Sequence, residues 1–193
     1  MDKKKLRYLE LGACGIEPAD WASEYYPDDL PEDWKFAYYT NKFKQIFLTA
    51  EQWQRAELSE WFAEVGDEFR FYLELTGAQL SSADWESTVR LIQTANCAAV
   101  VRDAGVADEL HGIVRRADLL IENKLLLQPL WQAEQENRQL ALVHSVIALN
   151  PLQLRELFET FQQSVQCPEL LVFLDTPYET AQKMRQMCEL YGW

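Results

Sequence analysis

The chain has 193 residues, 48% of them hydrophobic and 25% charged, the composition of a soluble globular protein with a sizeable core. Its net charge of −13 speaks against nucleic acid as a partner, because displacing counterions from phosphates takes a stripe of Lys and Arg. No run approaches the ~20 apolar residues of a membrane span, and Lys3-Lys4-Lys5 is too short to hold a chain at a membrane by charge alone. The expectation is one domain over residues 1–193, cytoplasmic and acidic, with no membrane or nucleic-acid partner.

Taken in order, Leu6–Gly12 reads as a first strand that breaks at Gly12-Ala13-Cys14-Gly15. Residues 16–34 then form a long connection carrying Trp21, Tyr25, Tyr26 and Trp34 among seven acidic side chains. A connection of that length is functional or disordered, and its aromatic content argues against disorder. A short helix and a second strand, Gln45–Thr49, complete a βαβ unit, whose strands run parallel and gather function at their C-terminal ends.

The alternation continues. Glu51–Val65 is helical by spacing, with Trp53, Trp61 and Phe62 near one face, and Phe69–Leu75 is strand three. A helix opens at Ser81-Ser82, and Cys97–Val101 is strand four. Val106–Arg115 is a helix, Asp118–Ile121 strand five, and a further helix is placed near Gln128–Asn137. Leu140–Ile147 is strand six, inside which His144 sits among apolar neighbours. Asn150-Pro151 caps a helix to about Ser164, Leu170–Leu174 is strand seven, and Thr176-Pro177 repeats the cap-and-proline device before the last helix. Continuous apolar runs such as CAAVV and LLVFL mark strands covered on both faces.

The opening carries a family resemblance. Gly12 and Gly15, Trp21, Tyr25-Tyr26-Pro27, Leu30-Pro31, Tyr38-Tyr39 and Phe43 fall in the order seen in the domain of unknown function 72 family, and LLVFLDTPYETAQKMRQMCEL resembles its last unit. The resemblance implies an α/β fold of the TIM-barrel type, here a parallel (βα) repeat closing as a reduced TIM-like barrel of about seven strands. It implies no substrate, since that family has no established activity. The chain departs from the family at its polar positions. Ile16 replaces a Trp, Thr49 stands where a strand-end Glu is usual, the Lys after strand three is missing near Glu74–Thr76, and Val143-His144-Ser145 keeps only a remnant of an Arg-x-His-Gly pattern.

Chemistry in parallel α/β folds sits on side chains at strand C-termini. Those positions give Glu74, Glu122, Asp103, His144 and Asp175 as candidate catalytic groups, with Arg102 and Lys124 beside them for binding. Trp21, Tyr25 and Tyr26 are expected to fold over this mouth as a stacking platform. Each has a plainer reading: Glu74 and Glu122 turned out to water, Arg102-Asp103 a structural pair or cap, His144 a satisfied core residue. Cys14 is a nucleophile only if a base reaches it, and none adjoins it in sequence. The four cysteines are scattered without a CxxC pair, so free thiols are expected and neither metal nor other cofactor is.

Two functions fit these residues. One is a binding or interaction protein, taking a small polar molecule or a partner protein, that has lost the family's polar site residues. The other is an enzyme, hydrolase- or isomerase-like, working on a small polar or sugar-like substrate with strand-end carboxylates. If the first and last strands fail to pair, an open edge would favour a homodimer.

Overall fold

An apolar strand with both faces buried needs side chains on either side of the sheet, and a closed barrel supplies them. The computed structural model describes every residue except 1–5, 19–20, 56–57, 81–82, 84, 95, 102–103, 111–118, 123–129, 134–137 and 166. Among the described residues the strands are β1 (Tyr8–Cys14), β2 (Gln45–Leu48), β3 (Arg70–Leu75), β4 (Cys97–Val101), β5 (Leu119–Glu122), β6 (Leu130–Ala133), β7 (Arg138–His144) and β8 (Glu169–Asp175). They form a closed barrel in sequential order. The described helices are α1 (Trp21–Glu24), α2 (Lys35–Thr40), α3 (Ala50–Arg55), α4 (Leu58–Glu64), α5 (Gly77–Leu80), α6 (Trp85–Ile92), α7 (Ala104–Leu110), α8 (Pro151–Ser164) and α9 (Tyr178–Tyr191).

Seven strands pair in parallel, as the sequence predicts, and the first and last of them are neighbours: β1 runs beside β8 from Tyr8↔Glu169 to Ala13↔Leu174. The edge that would have favoured a homodimer is therefore paired. The eighth strand corrects the sequence reading. Within the predicted helix near 128–137, Leu130–Ala133 is instead β6, antiparallel to both β5 and β7. Without it the facing ladders of β5 and β7 would be left unbonded, and backbone pairing in a barrel outweighs the weak helical preference of four residues.

Pleating sorts the side chains into two shells. Cys14, Phe47, Tyr72, Ala98, Val100, Leu140, Leu171 and Phe173 alternate inward and fill the lumen, so the barrel is packed and not a pore. The Phe173 ring lies 5.1 Å from Tyr72 and 5.8 Å from Phe47. Gly12 makes room for it: a Cβ there would stand 2.6 Å from a Phe173 ring carbon and 2.9 Å from the Gln45 carbonyl oxygen. The alternate residues, among them Ile46, Leu48, Phe71, Leu73, Ala99, Val101, Val172 and Leu174, face outward into the layer beneath the helices.

The two proline-led helix starts of the sequence reading are capped differently. Asn150 caps α8 in a reciprocal box with Gln153 and Pro151 occupies its first turn, as predicted. At α9 the cap position falls on Pro177, with no side-chain cap bond, while Thr176 is drawn into the packing and is fully buried. Thr176 is held there because its carbonyl accepts a hydrogen bond from the Trp21 indole at 2.8 Å.

Candidate functional site

The lumen-facing register continues past the packed centre to the C-terminal ends of the strands. Cys14 on β1, Glu74 on β3, His144 on β7 and Asp175 on β8 share it, so the pleat turns all four toward one mouth. His144 and Asp175 are register partners on adjacent strands, and His144 Nδ1 lies 2.7 Å from Asp175 Oδ2. The pair is open to solvent, with the imidazole 66% exposed, so His144 is not the satisfied core residue its apolar neighbours suggested. A carboxylate on Nδ1 fixes which ring nitrogen faces outward, leaving Nε2 toward the mouth for a ligand.

Glu74 does not turn out to water. It is half-buried, and its Oε2 accepts from the backbone N–H of Ala50 at 3.4 Å, where α3 begins. Helix starts favour a negative charge, which is why a carboxylate can rest there. The Trp53 indole donates to the Glu74 carbonyl at 2.8 Å and ties α3 to the end of β3.

Gln52 organises the mouth and was missed by sequence reasoning. Its Oε1 accepts from the Thr49 N–H at 2.9 Å, and its own N–H donates to Thr49 Oγ1 at 3.3 Å, a reciprocal capping box at the start of α3. The Thr-x-x-Gln spacing was the available signal. Gly15, with φ of +82°, lets the chain turn under this side chain, since a Cβ would stand 2.7 Å from Gln52 Nε2.

Cys14 is buried beside the two carboxylates. Burial first, then the charges of Asp175 and Glu74, push its thiol up to about 12, so it stays protonated and is no nucleophile at neutral pH. All four cysteines are free and buried, and burial likewise lifts Cys188 to about 12 and Cys167 to about 11. Raised thiol pKa values mean the folded state holds these protons more tightly than the unfolded one. The stability this contributes is complete below the ordinary thiol range and is lost as pH climbs from about 9 through the folded values. Urea melts under reductant should weaken by about 1.4 kcal/mol per pH unit per thiol across that window. A flat profile from neutral pH to pH 10.5 would contradict the burial of these thiols.

The aromatic platform is the main correction. Trp21 and its neighbours Tyr25 and Tyr26 are buried at 0%, 4% and 4% exposure, in the layer outside the barrel. The Trp21 ring meets Tyr25, Phe43 and Tyr178 at 5.2–5.7 Å, and the Tyr26 hydroxyl donates to the Ile16 carbonyl. Arg102, Asp103, Lys124 and the side chain of Glu122 lie outside the described residues; Glu122 closes β5.

One solved structure bears on this arrangement. It is that of a DUF72 family protein from Thermotoga maritima, which matches 95% of this chain and 100% of its own at a TM-score of 0.62 and 14% identity. The fold is DUF72-like. The sequence itself matches no protein-family profile and no curated protein. At that identity the DUF72-like fold is what is shared, and the residues of the mouth stand on their own geometry. Among the described residues no helix is long and apolar enough to cross a membrane.

Proposed function

We propose that the chain is a small-molecule-binding protein of the cytoplasm whose site is the C-terminal mouth of the barrel. The observation that carries this is the 2.7 Å His144–Asp175 pair, exposed on adjacent strand ends in the same lumen-facing register as Glu74 and Cys14. Together they offer a ring nitrogen and two carboxylates, a set that suits a ligand rich in hydroxyl or amine donors. A partner protein fits less well, because the aromatic side chains that would anchor it are buried beneath the helices. Four free thiols in one chain suit a reducing compartment.

The second reading, an enzyme acting on a sugar-like substrate, draws on the same pair. A histidine steered by a carboxylate is what a general base requires, with Glu74 as its partner acid. One experiment addresses both. A panel of monosaccharides, polyols and amino acids is screened by thermal shift, and any hit is titrated by calorimetry and followed by NMR for turnover. We expect a hit whose affinity falls about tenfold or more in His144→Ala and in Asp175→Asn, as loss of a charge-assisted hydrogen bond requires. A hit that ignores both variants, or a panel without one, defeats the mouth as the site. Turnover abolished by Glu74→Gln would convert the binding protein into the enzyme.

A further inference from the structure

A second site lies on the opposite side of the barrel wall. β1 joins β2 only through Ala13↔Ile46 and Cys14↔Phe47, while it joins β8 along six residues. Below that short seam the edge of β1 toward β2 has no ladder partner among the described residues. A cleft of about 370 Å³ opens there, between β1, the segment from Lys42 to Gln45, and α9. That volume is within the range of small-molecule sites, roughly 300–1,000 Å³.

The lining divides by chemistry. Leu9 and Leu11 of β1, Phe43, Ala181, Cys188 and Trp193 give it an apolar body. Lys42, Lys44 and Arg185 stand around it, and none of the three is in an ion pair among the described residues. In a chain of net charge −13 that is a local inversion, since Lys35, Arg90, Arg138, Arg155 and Lys183 all have carboxylate partners. Lys42 is also held in place, with its ammonium 4.9 Å from the centre of the Tyr25 ring. Two carboxylates border the cleft, Glu10 and Glu189. Against Lys42, Lys44 and Arg185 they leave the cations in the majority.

We propose that this cleft binds a small amphipathic carboxylate. The apolar body lies along Leu9 and Leu11, and the carboxylate is received by Lys42, Lys44 and Arg185. The site is separate from the mouth, so it stands or falls by its own test. Octanoate is titrated calorimetrically into the whole protein, beside octan-1-ol and octylammonium as neutral and cationic probes of the same length. We expect saturable octanoate binding, at least about tenfold tighter than either probe, as paired charge-assisted bonds would give. The variant Lys44→Glu with Arg185→Glu alters two exposed side chains and should weaken octanoate by about tenfold or more. Arg155→Glu, a charge change of the same sign on α8, should leave it unchanged. No saturable octanoate signal at millimolar concentration would overturn the proposal. So would equal binding of the alcohol, or an Arg155→Glu loss as large as that of the double variant, which would mean bulk charge and not a site.

Discussion

Trp21→Ala should lower the unfolding free energy by about 3–5 kcal/mol and leave ligand affinity at the mouth unchanged. The indole is fully buried, so truncation removes an aromatic ring from the packed layer and leaves a cavity that α1, α9 and β1 cannot all close over. The ring sits within 5.2 Å of Tyr178 and 5.4 Å of Tyr25, and both lose a face. A second loss accompanies the cavity. The Thr176 carbonyl, which accepts from the indole at 2.8 Å, is left without that donor at the point where β8 hands over to α9. Phe at this position should recover most of the packing and none of the hydrogen bond. Urea denaturation of Trp21→Phe would therefore fall between wild type and Trp21→Ala. A loss below about 1 kcal/mol for the alanine variant would mean the ring is not a core residue.

How much of this was legible in the sequence depends on which physical signal carried it. The parallel strands were, because Cys97–Val101 and Leu170–Leu174 are apolar on both faces and only a covered sheet tolerates that. The mouth was legible in part: Glu74, His144 and Asp175 follow from strand ends alone, and all three lie in the lumen-facing register. What strand ends do not show is the cross-strand register that sets His144 against Asp175, because register belongs to pairs of strands. The loop failed for another reason. An aromatic stretch has the same composition whether it covers a mouth or packs against the outside of a barrel, and only the assembled fold decides between the two. The short β6 was unreadable because Leu130–Ala133 is only four residues long, within which neither periodicity can be told apart. The cleft left no local signal at all, since Lys42, Lys44 and Arg185 meet only through the fold.

Tyr39→Phe removes one oxygen and should cost about 2–4 kcal/mol, much more than a single exposed hydroxyl would. The hydroxyl stands at the top of the open seam. It accepts from the Ala13 N–H at 2.9 Å and donates to the Gln45 carbonyl at 2.7 Å, replacing with a side chain the ladder bonds that β1 and β2 do not make. Tyr39 is fully buried, and burial raises its pKa well above the ordinary phenolic value, so it remains a donor through the physiological range. With phenylalanine the ring packing against Phe43 persists, but an N–H and a carbonyl in a dry interior lose their partners together. Each such orphan costs about 1–3 kcal/mol, which is why the sum exceeds the worth of one ordinary hydrogen bond. Denaturant melts give the size of the loss, and hydrogen exchange gives its location. The Ala13 amide should lose protection selectively, while amides of β1 bonded toward β8 keep theirs. Uniform loss across β1 would mean that the hydroxyl supports the whole strand, and unchanged protection at Ala13 would mean that water takes the place of the oxygen. The seam is also one wall of the cleft, through Gln45 and Leu11. Loosening it should therefore weaken octanoate binding without touching the His144–Asp175 pair at the mouth, because β7 and β8 remain bonded along seven residue pairs.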